Sequence, residues 1–598
     1  SSNRGIILAI VGGAVIIAIG LAIGLAIGLR SRDDGPEETT QPPPTTDKAP
    51  TTGRPKDRSA TGKYHYAAVA SNAEICSKIG ADVMGRHRGH VVDATVATLI
   101  CESMMNAQNA GIGGGSFFIY YDRQRREAMA VNVRETAPAE ASQDMFVDNP
   151  ELSTLGGLAI AIPGEVKGLW YLHHRYGRVP WASLIQPTID LCRNGAPLTR
   201  AQRNGAVYEK QNIVNNTEFS FLFDSNGEIV PVGTIITRPK LAHTLEILAN
   251  EGADAFYNGS LTDSIVADIQ DAGGIITRED MENYEPHVTD TVNFDLPSNL
   301  TIYSMPPPGS GAVLEFILNI LSGYNFDAES ISTVEKTSLT YHRIVEAMKF
   351  AYAKRTSLGD ARFVNVTELV RNMTSPAYGE ATRRMIDDDT THDTSYYGPT
   401  FYSDVEKSTA HFSLMDVDGN VISVTSTINT LFGSKVKGNR TGIVFNNQMD
   451  DFSTPGTTNF YGVPASEANF IRPGKRPQSS MSPSVIVDKG TGDVQLVVGA
   501  AGGTLITTST ALTTMHTLWF NKTLSEAMDA PRMHHQLLPP ELMLEEAFPF
   551  DVRRDLEDKG HELGTVPFYS LVHAIRRTPD DMLEAVSDWR EGGAPGGF

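Results

Sequence analysis

The 598-residue sequence predicts an α+β fold with strands stacked between helices in two layers, and three stretches carry that expectation. Residues 407–433 alternate apolar and polar side chains on both sides of Asp418-Gly419, which is a hairpin signal. Residues 90–106 have helical periodicity and end before the glycine run 111–115, after which 116–121 and 128–133 read as a strand pair. Residues 485–487 and 494–498 read as two more strands, followed by the Gly-Ala-Ala-Gly-Gly-Thr run 499–504 and a helix to Phe520. Two further helices fit 314–321 and 341–354. There is no internal repeat.

In chain order, residues 1–5 form a short tail and residues 6–29 an uninterrupted uncharged run of Ile, Ala, Leu and Gly. As a helix that run would be about 36 Å long, enough to cross a hydrocarbon core of about 30 Å. A signal peptide usually has a shorter apolar core and a small-residue cleavage site, whereas Arg30, Ser31 and Arg32 follow here. The run is therefore expected to be a transmembrane signal anchor. Gly20, Gly24 and Gly28 line one face of it, which also fits the ordinary glycine content of membrane spans. Residues 30–63 form a Pro/Thr-rich stalk with too little apolar surface to fold. The globular part starts near Tyr64.

Seven N-x-S/T sequons, at Asn215, Asn258, Asn299, Asn365, Asn372, Asn439 and Asn521, all follow the span and suit a glycosylated lumenal or extracellular part. With 50 basic and 71 acidic residues, the net charge of −21 argues against nucleic acid as a partner. Three cysteines do not make a disulfide scaffold. The glycine runs lack the Gly-Lys-Ser/Thr continuation of a phosphate loop, and the His and Cys residues show no metal-ligand spacing. Gly309-Ser310-Gly311 lacks the flanking residues of a nucleophile elbow, and His534-His535 reads as a surface or core pair.

The hairpin brings Thr409 near Thr427 and Asn429. A two-residue loop sets Thr409 opposite Ile428; a three-residue loop is expected to set it opposite Asn429, with Thr427 diagonal. Taken alone, this is an ordinary Thr-rich sheet edge. The wording S-T-A-H-F-S, then T-S-T-I-N-x-x-F-G-S-K-V, resembles the small-subunit start of the gamma-glutamyltransferases. Further phrases extend the resemblance over almost all of 64–598. They include N-A-G-I-G-G-G (109–115), R-E-T-A-P (134–138), P-G-E-V (163–166), F-N-N-Q-M-D-D-F (445–452), P-G-K-R-P-Q-S-S-M-S-P (473–483) and V-V-G-A-A-G-G-T (497–504).

The resemblance implies an N-terminal nucleophile (Ntn) hydrolase fold, a four-layer αββα sandwich. It also implies autocatalytic cleavage between Ser408 and Thr409, giving a large chain 64–408 and a catalytic small chain 409–598 that stay together as a heterodimer. A threonine hydroxyl needs a base, and a free α-amine titrating at about 7.7–8.0 supplies one. The implied donors are glutathione and its S-conjugates, with water, amino acids or dipeptides as acceptors, and no metal or organic cofactor. By the same resemblance, Arg134, Ser479 and Ser480 bind the donor α-carboxylate, for which a planar guanidinium fork is suited. Asp451, Asn429 and Gln448 receive its α-ammonium, Gly502 and Gly503 form the oxyanion hole, and Thr427 orients the nucleophile. Cys76 and Cys101 would pair, as their equivalents do in vertebrate members, leaving Cys192 as a buried thiol.

One residue departs from the vertebrate pattern. Gln448 stands where vertebrate members usually carry Glu, which removes a charge from the ammonium pocket but keeps an acceptor oxygen. Singly, each of these clusters also reads as a salt bridge, an acidic turn or a loop; the order around one threonine is what points to a site. Two rivals are an Ntn acylase and an inactive surface-binding homologue. The expected location is the plasma membrane, single-pass type II, with the catalytic part outside.

Overall fold

In the computed structural model, residues 58–401, 408–458, 464–565 and 570–598 are described, all within one unit spanning Asp47–Phe598. The expected tail, membrane span and nearly all of the stalk (residues 1–57) lie outside the described residues. No described helix is long and apolar enough to cross a membrane.

The central hairpin forms, with Ala410–Met415 antiparallel to Val421–Thr427. Its register corrects both sequence-based alternatives. Met415 pairs with Val421 and Ala410 with Ser426, so one further step sets Thr409 directly opposite Thr427, not Ile428 or Asn429. The cause is the turn. Asp416 N–H donates to Asn420 O (3.0 Å), and the Asp416 carboxylate accepts from the N–H groups of Asp418 and Asn420, closing a three-residue loop. Gly419 takes φ 80° there, which a side chain would strain.

The hairpin lies inside one of two seven-stranded sheets. The inner hairpin sheet runs Gly596–Gly597, Ala68–Ala70, Ala410–Met415, Val421–Thr427, Gly115–Asp122, Glu127–Asn132 and His287–Thr289. Its partner sheet runs Ala60–Tyr64, Leu583–Ser587, Leu571–Arg577, Val494–Ala501, Ser484–Asp488, Leu300–Ser304 and Val292–Leu296.

Side-chain alternation along Gly115–Asp122 divides the core. Phe118 and Tyr120 face a cluster with Val92, Val96 and Ile100 of the helix Val91–Met105. Phe117, Ile119 and Tyr121 face the other way, into a cluster with Val485 and Val497 of the partner sheet. That second cluster continues to the helices Gly311–Ser322 and Leu505–Leu518. The order is therefore helix, sheet, sheet, helix, the αββα sandwich. Because both sheets are covered on both faces, every residue of Ala410–Met415 and of Val421–Thr427 is buried, which explains why the alternation there mixes Thr and Ser with aliphatics.

The expected helices and strands form within three residues of their expected ends, except that the helix expected over 341–354 starts seven residues earlier, as Val334–Arg355, on a Thr333 N-cap. Val91–Met105 starts on a capping box in which His90 accepts from Val92 N–H and Asp93 accepts from His90 N–H. A Cys76–Cys101 disulfide ties it to the preceding helix Glu74–Gly85, and Cys192 is a free buried thiol. His534 and His535 are both buried. Of the seven sequon asparagines, Asn372 is half-buried and the other six are exposed.

Candidate active site

Thr409 lies immediately before the hairpin's first strand, buried and still joined to Ser408. Thr427, across the register, donates its hydroxyl to the Ser408 carbonyl oxygen at 2.8 Å and accepts from Asn429 N–H at 2.8 Å. A hydroxyl in that relay polarises the Ser408 carbonyl and stabilises negative charge that develops on its oxygen. Asn429 holds φ 75°, which turns the chain out of the strand. Its side-chain amide donates to Asn447 O at 3.0 Å, so the strand end is tied to the short turn Gln448–Asp451.

That turn carries the charged half of the site. Asp451 Oδ2 forms an ion pair with Arg134 Nη2, and both side chains are almost fully buried. Arg134 is further held by Pro477 O at 3.0 Å and Gln478 O at 3.2 Å, which places it beside Ser479-Ser480. Gln448 Nε2 donates to Asp451 Oδ2 at 2.5 Å, while its Oε1, also buried, has no hydrogen-bond partner among the described residues. An unsatisfied buried amide oxygen costs about 1–3 kcal/mol, so it marks a place where a donor is wanted. Next to a carboxylate, the donor best suited to that place is a cation.

The serines are positioned from both sides. Ser479 O accepts from Ser310 Oγ at 2.6 Å, and Ser480 Oγ accepts from Arg355 Nη2 at 2.9 Å. Gly502 (φ 117°) and Gly503 (φ 61°) adopt backbone that side chains avoid, just before the helix Leu505–Leu518. Two amides at a helix N-terminus sit where the dipole favours negative charge. Their strand packs on the hairpin: a Cβ on Gly499 would lie 2.3 Å from the His411 ring.

The structure thus joins Ser408, Thr427, Asn429 and the 447–451 turn in one hydrogen-bonded path. It joins Arg134, Asp451, Gln448 and the 477–480 loop in another. Four partners escaped the sequence reading: Asn109, Ser310, Asn447 and Arg355. In the sequence Ser310 belongs to a motif that is not a nucleophile elbow, and Arg355 falls one residue beyond the helix expected over 341–354; their roles come from contacts made more than a hundred residues away.

Among the described residues, one set of buried groups could hold a metal ion, His342, Glu346 and His561. His342 and Glu346 lie one turn apart on the helix Val334–Arg355, a spacing that the sequence reading passed over. These groups satisfy one another instead. His342 Nδ1 bonds His561 Nε2 at 2.8 Å, and Glu346 takes Lys349 (2.5 Å), Thr391 (2.7 Å) and Tyr397 (2.5 Å). An ammonium already on the carboxylate opposes a cation there.

The gamma-glutamyltranspeptidase family model matches residues 76–598. The chain belongs to the gamma-glutamyltranspeptidase family. It is 43% identical over 541 residues to Scoloptoxin SSD14 of Scolopendra dehaani, covering 90% of this chain and 93% of the relative. It is 37% identical to Glutathione hydrolase 3 of Arabidopsis thaliana (85% and 80% covered) and 35% identical to human Glutathione hydrolase 5 proenzyme (90% and 93%). Among solved structures, cephalosporin acylase from Bacillus halodurans superposes with TM-score 0.77 at 22% identity, over 95% of this chain and 99% of that one, a likeness of fold. Helicobacter pylori gamma-glutamyltranspeptidase gives TM-score 0.50 at 30% identity, over 53% of this chain and 91% of that one. The transpeptidase family and the αββα architecture therefore agree.

Proposed function

We propose that this chain is a gamma-glutamyltransferase and glutathione hydrolase that first cuts itself before Thr409 and then uses Thr409 as its nucleophile. The observation that carries the substrate class is the buried Arg134–Asp451 pair with the unpartnered Gln448 Oε1 beside it. A free amino-acid head group offers a carboxylate for Arg134, supported by Ser479 and Ser480. Its ammonium suits Asp451, Gln448 Oε1 and Asn429. Binding exchanges one internal ion pair for two, so neither buried charge is left alone.

In self-cleavage, Thr409 Oγ attacks the Ser408 carbonyl carbon, the Ser408–Thr409 C–N bond breaks and the nitrogen takes the proton. Water then opens the resulting ester, leaving a Ser408 carboxylate, a free Thr409 α-amine and the restored hydroxyl. In turnover that amine accepts the Thr409 hydroxyl proton as Oγ attacks the donor's γ-amide carbon. Gly502 and Gly503 N–H groups face the developing oxyanion. The C–N bond breaks, the leaving amine takes the proton, and a γ-glutamyl ester remains for water, an amino acid or a dipeptide to attack. Every step is served by side chains, backbone amides and the α-amine.

The reading extends to location. Residues 6–29 serve as a single membrane anchor of type II, and the exposed sequon asparagines fit a glycosylated catalytic part outside the cell. The human relative's name as a proenzyme supports processing.

The test is denaturing mass analysis and N-terminal sequencing of the deglycosylated full chain, with release from a chromogenic γ-glutamyl anilide. A fragment beginning Thr-Ala-His-Phe-Ser together with γ-glutamyl release is the expected result. An intact, inactive chain would favour a surface-binding glycoprotein; a cut chain that releases only acyl groups lacking an amino-acid head would favour an acylase.

A further inference from the structure

Ser408 is held by its side chain as well as by its carbonyl. Its hydroxyl donates to Asn109 Oδ1 in a short contact, and Ile428 N–H donates to Asn109 O at 3.0 Å. Asn109 therefore grips both ends of the hairpin, the residue before the scissile bond and the residue after Thr427. The orientation of its amide is set from behind. Asn109 Nδ2 donates to Glu591 Oε1 at 3.0 Å and to Asn106 Oδ1 at 3.2 Å, which uses both protons and leaves Oδ1 facing Ser408. Glu591 Oε2 accepts from Asn72 Nδ2. All five residues are buried, and Glu591 comes from the C-terminal segment, 182 positions beyond Thr409.

With Glu591 ionised, both of its oxygens accept from amide N–H groups and Asn109 uses its oxygen and both of its protons, which fixes Ser408 in one rotamer. Thr427 then meets the Ser408 carbonyl at 2.8 Å instead of competing with a mobile peptide. We propose that Asn109 and Glu591 are positioning residues for self-cleavage, with Glu591 holding the Asn109 amide so that the Ser408–Thr409 peptide is presented to attack. This rests on the self-cleavage reading above and adds the residues that set its geometry.

Protonation of Glu591 leaves one acceptor oxygen for two amide donors, Asn72 Nδ2 and Asn109 Nδ2, and removes the charge from both bonds, which weakens the hold on Asn109. Burial first, and then the charge of Asp588, push the Glu591 carboxyl up to about 7, against the lowering effect of the Asn72 and Asn109 bonds and of Arg200. Glu102, on the helix Val91–Met105, faces it as a second buried carboxyl, pushed to about 8 by burial and by Glu591 itself. The ionised, relay-competent form thus exists above about pH 7 and is lost as pH falls through that value.

The experiment follows processing of the full-length precursor. Precursor made by cell-free translation with membranes is shifted to buffers from pH 5.5 to 8.5, and cleavage is timed on denaturing gels, with Thr409→Ala as the uncut control. Glu591→Gln imitates the protonated acid in size and hydrogen bonding. It should slow cleavage about tenfold at pH 8, the order expected for one lost charge-assisted hydrogen bond, and should abolish the limb near pH 7. Asn109→Ala should slow it similarly, and the double variant should be no slower than Asn109→Ala alone. Asn72→Ala, which removes a Glu591 partner on the side away from Ser408, should lower the melting temperature with a much smaller effect on rate.

Wild-type rate and an unchanged pH limb in Glu591→Gln would overturn the proposal. So would equal slowing by Asn72→Ala, which would make the cluster only structural. A wild-type precursor that never cuts would remove the self-cleavage reading itself, a distinct result.

Discussion

At the scale of single residues, the site turns on which polar atoms are left for something to bind. Gln448 has one such atom, Oε1, while its Nε2 braces Asp451. Gln448→Leu removes both, and should raise donor KM about tenfold with little change in kcat, since the ammonium is bound equally in ground and transition states. Gln448→Glu keeps the acceptor oxygen but sets a second carboxylate against Asp451. Donor binding should persist while preference among donors or acceptors shifts; identical KM values and preferences would sink the selectivity idea. Thr427 tests the other half. Thr427→Val deletes the donor to Ser408 O and orphans Asn429 N–H, so precursor cleavage should slow about a hundredfold, the usual cost of one oxyanion donor. Thr427→Ser keeps the hydroxyl and should stay within about tenfold.

Elements show where sequence reading succeeds and where it stops. The hairpin and the helix Val91–Met105 were legible because periodicity, turn residues and caps are local signals. The register was not legible, because it depended on whether Asp416 would close a three-residue loop with Asn420. Arg134, Asp451 and the glycine pair could be named through family wording alone; each reads locally as a salt bridge or turn. Asn109, Ser310 and Glu591 had no local signal, since their partners lie far along the chain. Packing between the two sheets was equally silent, and it can be tested at Gly499. His411 lies against that glycine, fixed by Thr425 Oγ1 at 2.9 Å and Ser413 Oγ at 3.2 Å, so its ring cannot swing aside. Gly499→Ala should therefore cost about 1–3 kcal/mol by overpacking, read as a lowered melting temperature.

For the whole molecule, the position of the proposed cut matters less to the fold than its severity suggests. Both sheets draw strands from before and after Thr409, for example Gly115–Asp122 beside Val421–Thr427, and Leu300–Ser304 beside Ser484–Asp488. The two chains should co-elute in native buffer and separate only in denaturant. Stability against pH follows from groups buried in the form that water disfavours. Burial above all holds His90, His534 and His573 down at about 4, and His411, His516 and His535 also well down, against about 6.5 unfolded. With folded values depressed, the unfolded chain takes up protons first, so stability is complete above about pH 6.5 and is lost as pH falls toward 4. Burial raises Glu102 and Glu135 to about 8 and Glu165 and Glu591 to about 7. Those folded values lie above the unfolded ones, so their contribution is complete below about pH 4.3 and is lost as pH rises through 7 to 8. Between about pH 4.5 and 6.5 the two sets oppose each other, with more histidines than carboxyls, and above about pH 7 only the carboxyls change. The melting temperature should therefore peak near pH 6.5–7 and fall on both sides. Glu165→Gln should flatten part of the alkaline limb, because the amide stays neutral. A melting temperature that climbs steadily to pH 8.5 in the wild type would mean that these carboxyls are ionised in the folded protein, and the pH dependence argued for Glu591 would lose its basis with them.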